Sequence, residues 1–290
     1  MSDAIVARGL RKQYGSTTAL AGLDWSVPTG SITALVGPNG AGKTTTIKLL
    51  LALTRPTAGE LRVFGDDPTS GAIELRKRIG FVPEDKTGFD GLRVADVARY
   101  TASFYPSWRA DAFTELLADW RLDPSAAMTA LSKGARTKIF AALALAHDPE
   151  LLMLDEPTDG LDPTSQEDVL RRLIDAAARG RTVVIVTHRL SEVEAVADRI
   201  ALIDEGRLIL EGDLEMLRDT WKLVRARVAT PLADVRRMTG VRSATRAGET
   251  TVIVSDRADE VVTSLGGDAV SVTAMSLREL YLAVTTKDAT

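Results

Sequence analysis

The sequence predicts an α/β fold: a largely parallel sheet with an antiparallel margin and a helical insertion, followed by a small C-terminal α+β domain. Two observations predict it. The runs "SITALVG", "ELLMLDE" and "TVVIVTH" are rich in Val, Ile and Leu, end at polar residues or Gly, and lead into helical patterns, as buried strands of a parallel sheet do. After about residue 220 the texture changes to shorter strand-like and helix-like segments, which marks a second, smaller unit.

Taken in order, "SITALV" is the first buried strand and "TTIKLLLAL" the helix after it. "GELRVFG" reads as an antiparallel strand at the margin. Residues 93–147 read as mostly helix, broken at "PSW" and "DPS". "LLMLDE" and "TVVIVTH" complete the buried strands, and "RIALIDEGRLILEG" turns through Asp-Glu-Gly-Arg as a second antiparallel margin. The expected division is a domain over residues 1–220 and another over 221–290, where "KLVRARVAT", "TTVIVS" and "AVSVTAM" are strands and "PLADVRRM", "RADEVVTSL" and "SLRELYLAV" helices. The last is amphipathic, and core packing is the favoured use of its apolar face.

Composition narrows the function classes. The chain has 290 residues, 36 Lys and Arg against 40 Asp and Glu, and a formal net charge of -4, so no overall positive field favours nucleic acid. Cysteine is absent, which removes disulfides, thiolate metal sites and cysteine nucleophiles and fits a reducing compartment. The start lacks a secretory signal pattern, and apolar runs such as "FAALALA" fall short of the ~20 residues a membrane helix needs. A cytoplasmic chain is expected, reaching a membrane only through a partner that spans it.

The densest chemistry lies in "GPNGAGKTT", Gly37 to Thr45, which joins a strand to a helix in the Gly-x4-Gly-Lys-Thr pattern. Gly37, Gly40 and Gly42 let the backbone curl around phosphates, with Asn39, Ala41 and Thr45 completing the cradle. Lys43 is expected on the β and γ phosphates and Thr44 on Mg²⁺. A Gly-rich turn merely joining two elements does not explain the Lys-Thr pair.

A second cluster follows. Asp155 ends a buried strand with Glu156 beside it, and alternation along a strand points the two carboxylates different ways. Phosphoryl transfer needs such a division, one carboxylate for the metal and one for the attacking water. Asp155 is assigned to the metal and Glu156 to the water. Alone, such a pair is more often a helix cap or a surface pair. The next strand ends in His188, placed to sense a γ-phosphate; alone it would be a structural histidine. The other histidine, His147, sits at a helix end where a dipole or capping role is simpler.

These motifs, with "LSKGA" at 131–135, "GLD" at 160–162 and "TH" at 187–188, resemble the nucleotide-binding subunits of ATP-binding cassette (ABC) transporters over about residues 3–220. The resemblance implies a P-loop NTPase (RecA-like) core and an ATPase that uses ATP and Mg²⁺. It implies that Tyr14 stacks on adenine, although a lone strand tyrosine more often packs in a sheet. It implies a head-to-tail dimer with a second copy or a homologous subunit, in which Ser132 and Gly134 face the partner's ATP and Asp162 communicates across the interface. Ser132 also suits an N-cap, and both readings can hold. A separate transmembrane permease is the further implied partner, contacted by residues 84–93 and the helical insertion, with no nucleic acid expected and a peripheral place on the inner face of the cell membrane.

Two departures stand out. Lys133 replaces the usual signature Gly and Ala135 a common Gln, and Glu84 stands where a Gln normally reaches Mg²⁺ and the attacking water. An ionised Glu84 accepts hydrogen bonds without donating them. Together with "SFYPSW" they are most similar to exporter-type subunits of the YtrB-like and bacitracin-exporter-like groups. The alternatives are a soluble ABC ATPase acting on a ribosome, DNA or an assembly complex, and an ATP-binding regulator without turnover. The intact Lys43, Asp155, Glu156 and His188 argue against the regulator.

Overall fold

The computed structural model describes residues 2–266 and 269–285, of which the side chains of 269 and 270 are left undescribed. The chain forms two compact units, Met1–Leu208 and Ile209–Thr290. The sequence places this change at about residue 220; the structural division falls earlier, within a strand.

In the first unit, β1 (Asp3–Tyr14) and β2 (Thr17–Pro28) form a hairpin, followed by β3 (Ile32–Val36), α1 (Lys43–Leu50), β4 (Ala58–Val63), α2 (Ala72–Lys77) and β5 (Ile79–Val82). The helical insertion holds α3 (Val94–Ala102), α4 (Ala110–Asp119) and α5 (Lys133–Leu145). Then come β6 (Leu151–Asp155), α6 (Pro163–Ala178), β7 (Thr182–Thr187), α7 (Leu190–Val196) and β8 (Arg199–Asp204), before β9 (Arg207–Asp213) leads into the second unit.

The main sheet runs β5-β6-β7-β3-β8-β9, with β5 to β8 parallel. A separate antiparallel sheet runs β2-β1-β4. The strand "RIALID" therefore corrects the sequence reading: β8 pairs parallel with β3 inside the core sheet, and only β9 lies at its margin. Its buried Ile200 to Ile203 run lacks the alternation of a one-sided strand, a signal of two-sided burial.

Alternation along the parallel strands builds two cores. Leu152, Leu154, Val183 and Ile185 pack with the helical insertion and α6. Leu151, Met153, Val184 and Val186 face α1 and the antiparallel sheet. This parity carries the next odd residue, Asp155, toward α1.

His147 is buried, with its ring stacked on Tyr105 at 3.9 Å between centroids. Burial pushes its pKa down to about 4, so the ring is neutral at pH 7 and carries no charge for a helix dipole, unlike the sequence expectation. Among the described residues no helix is long and apolar enough to cross a membrane.

The second unit contains α8 (Leu214–Thr220), β10 (Lys222–Ala226), α9 (Leu232–Val235), β11 (Val241–Ala247), β12 (Thr250–Ser255), α10 (Ala258–Ser264), β13 (Ala269–Ala274) and α11 (Leu277–Thr285). From β10 to β13 the order is βαββαβ, with an antiparallel sheet β11-β12-β10-β13, the split-βαβ arrangement. Its core is Val224, Val235, Ala244, Ile253, Ala258 and Val261. The amphipathic α11 buries Leu277, Leu280 and Val284, as the core reading expects.

Candidate functional site

A cleft of about 360 Å³ opens at the carboxyl ends of β3, β6 and β7, where open α/β sheets bind ligands. Tyr14, Asn39, Gly40, Gly42, Lys43, Thr44, Thr45, Glu84, Asp155, Glu156 and His188 line it. Thr17, Thr18 and Ala19 complete the wall, three residues the sequence reading passed over.

The loop from Gly37 to Gly42 connects β3 to α1 because its glycines permit what other residues resist. Gly42 caps α1 at φ 109°, in the left-handed region. Gly37 and Ala41 shape the loop from behind without lining the cleft: Ala41 is buried, and a Cβ on Gly37 would lie 2.2 Å from the Ile203 carbonyl oxygen. Gly37→Ala is expected to lower stability by about 2–3 kcal/mol through this overpacking. Urea unfolding of the variant beside the parent measures it; an unchanged midpoint would contradict the contact.

Lys43, the first residue of α1, is buried and bends back onto its loop, donating to the carbonyls of Gly37 at 2.7 Å and Pro38 at 3.0 Å. Burial pushes its ammonium pKa down, while Glu156, Asp155 and Glu84 push it up. The ammonium and the free N–H groups at the start of α1 are the groups here that could meet an anion.

Asp155 is buried, and its carboxyl is pushed up to about 6, first by burial and then by the charges of Glu84 and Glu156. Glu156 leaves the strand at φ 46°, a left-handed conformation rare for a residue with a side chain. Strand alternation ends at Asp155, and both residues line the one cleft. The Glu156 carboxylate is held by groups at the end of β7: Thr187 Oγ1 donates to Oε2 at 2.9 Å, and the His188 backbone N–H donates to Oε1 at 3.0 Å. The His188 ring Nδ1 lies 2.7 Å from Oε1. If that Nδ1 donates, Nε2 can donate to an anion only in the doubly protonated ring.

Tyr14, at the end of β1, is 44% exposed with Lys12 Nζ 4.8 Å from its ring centroid, so it is not the core residue a lone strand tyrosine suggests. The oxygen donors Thr44, Asp155 and Glu84 line the same cleft, a hard donor set of the kind that suits Mg²⁺.

The remaining predicted residues do not join this cleft. Ser132 caps α5, accepting from the Ala135 N–H at 3.1 Å, and Asp162 caps α6, accepting from the Ser165 N–H at 3.0 Å. Gly134 lies against Leu161, whose Cδ2 would be 3.2 Å from an added Cβ. The sequence reading also missed Lys86. It is buried behind the cleft and donates to the Glu84 carbonyl at 3.1 Å. Burial pushes its pKa down, and the nearby Asp159 foremost pushes it back up.

The family model described as ABC transporter matches residues 20–159. Nod factor export ATP-binding protein I of Burkholderia orbicola is 40% identical over 214 residues, spanning 71% of this chain and 69% of the relative. The daunorubicin/doxorubicin resistance ATP-binding protein DrrA of Streptomyces peucetius is 40% identical over 228 residues, 75% of this chain and 67% of the relative. Among solved structures, an ATP binding subunit of an ABC transporter superposes with a TM-score of 0.70 at 28% identity, covering 74% of this chain and 92% of that one.

Proposed function

Because the chain belongs to the ABC transporter family as an ATP-binding, ATP-hydrolysing subunit, we propose that it drives export through a separate membrane permease. In this reading it closes head to tail on a second copy, or on a homologous subunit, around two Mg-ATP. The observation that carries it is a half-built site. Lys43, Thr44, Asp155, Glu156 and His188 share one cleft, while Ser132 and Gly134 sit outside it at the start of α5. A second chain supplying its α5 start to this cleft would complete the set, and this chain would return the same service.

Each residue then has a task its position allows. Tyr14 offers an exposed face to adenine. The loop from Gly37 to Thr45 holds the phosphates by backbone N–H groups, with Asn39 and Gly40 at its exposed crest and Lys43 at the β and γ positions. Thr44 and Asp155 would hold Mg²⁺, with Glu84 accepting from its water shell, and the bound ion would supply charge neutralisation for the phosphates. Glu156 takes the proton of the attacking water while Thr187 and His188 fix its orientation. Asp162 sets the start of α6 at the face the partner would meet.

Support for a permease partner comes from the helical insertion and the segment just before it. Phe89, Tyr100 and Phe104 form an edge-to-face ladder, with centroids 6.3 and 5.1 Å apart, and Tyr100 and Phe104 are both more than half exposed. Exposed aromatic clusters of this kind mark protein contact surfaces. The named relatives are an export protein and a drug-resistance protein, which favours transport over action on ribosomes or DNA. Affinity purification from detergent-solubilised membranes tests the partner: a polytopic membrane protein in fixed ratio is expected, and co-purification with ribosomes or DNA instead would contradict the reading. The chain's place is then the cytoplasmic side of that membrane protein.

The Glu84 departure has a measurable consequence. A protonated Asp155 cannot ligate a metal, so Mg²⁺-dependent ATP binding should weaken as pH falls through about 6. Glu84→Gln removes a charge that raises the Asp155 pKa, so this acidic limb should move to lower pH. Nucleotide titrations between pH 5 and 8 check it, and coincident profiles would place Glu84 away from the metal.

A further inference from the structure

Lys133, which replaces the usual glycine of the signature, has a fitted seat. Its Nζ lies 2.6 Å from Asp159 Oδ2. Its stem runs along Gly160, where an added Cβ would come 2.4 Å from the Lys133 Cδ, and Gly160 itself sits at φ 76°. The other Asp159 oxygen, Oδ1, accepts from Arg189 Nη2 at 3.1 Å. The backbone N–H of Arg189 donates to Thr187 Oγ1 at 3.0 Å, and that hydroxyl donates onward to Glu156 Oε2 at 2.9 Å. A second link is backbone: Asp159 N–H to the Glu156 carbonyl at 3.3 Å.

We propose that Lys133 is a positioning residue for Glu156, joining the start of α5 to the hydrolytic carboxylate of its own chain through Asp159, Arg189 and Thr187. The role of Glu156 rests on the function proposed above. The links themselves are contiguous contacts in one chain, the physical form such coupling takes. The Lys133 ammonium is also the foremost group holding the Asp159 carboxyl below its usual range. In the proposed dimer the start of α5 meets the partner's ATP, so the chain of contacts would connect occupancy of one site with the geometry of the other.

Lys133 is exposed and Asp159 half-buried, and pairs this open to solvent are weak, so the expected effects are modest. Lys133→Ala and Asp159→Asn should each lower kcat about three- to fivefold with KM within about twofold. The double variant should be no worse than either single, and Lys133→Arg should restore the rate. A readout independent of turnover is the ring signal of His188 in histidine-labelled protein without nucleotide. Both single variants should shift the His188 signals and leave those of buried His147 in place. Unmoved His188 signals would overturn the proposal, whether or not the isolated chain hydrolyses ATP. It is equally overturned if Lys133→Ala raises KM and weakens ATP-driven dimerisation while Asp159→Asn does neither, since Lys133 would then act on the partner's nucleotide directly. Loss of wild-type turnover with the His188 shifts intact would count against the ATPase reading and not against the contacts.

Discussion

Glu156→Gln is expected to lower kcat for ATP hydrolysis by about 10²- to 10⁴-fold, the range a positioned general base supplies, while ATP affinity changes little. The geometry separates the two effects. Glutamine keeps the shape and retains an acceptor for the His188 N–H that now bonds Glu156 at 3.0 Å. Its amide can turn toward Thr187, whose hydroxyl sits 2.9 Å from the other oxygen. An amide, however, cannot take a proton from water. Steady-state hydrolysis beside equilibrium nucleotide binding distinguishes the outcomes: a variant that loses turnover and keeps binding supports the assignment, and one that turns over at the parent rate removes Glu156 from the chemistry.

Lys43→Ala carries the other large effect. Among the described residues lining the cleft, Lys43 is the only lysine or arginine, set against the carboxylates Glu84, Asp155 and Glu156. Without it those carboxylates face the polyphosphate with no fixed cation among them. A charge-assisted hydrogen bond of about 2–3 kcal/mol corresponds to a roughly 30- to 150-fold loss of ATP affinity. The fold should survive, because the bonds that the Lys43 ammonium makes among the described residues go to the carbonyls of its own loop. Calorimetric titration of ATP into both proteins checks it, and an affinity within twofold of the parent would mean that Lys43 does not reach the phosphates.

What could be read from the sequence follows the density of its signals. The loop from Gly37 to Thr45 and the pair Asp155–Glu156 were legible because glycine, lysine and carboxylate positions are constrained by both chemistry and backbone. The hairpin β1–β2 is not legible although it holds Ile5, Leu10, Leu20 and Leu23 at full burial, because repeated register shifts between its strands break the simple alternation. β11 is hidden for a different reason: "VRSATRA" is polar and mostly solvent-facing, with Ala244 in the core and Val241 half-buried against it. The left-handed turn at Glu156 has no compositional mark, since glutamate rarely adopts it. Lys86 has none either, and Lys133, though it stands out in the signature, gives no sign of its pairing with Asp159, because charged residues read as surface until a tertiary contact buries or joins them.

The central claim is that ATP is held in a half-site which a second copy of this chain can complete. The most direct test is the solution mass of the Glu156→Gln protein by light scattering, with and without ATP and Mg²⁺. The account predicts one chain without nucleotide and two with it. A single-chain mass at saturating, bound ATP would contradict it.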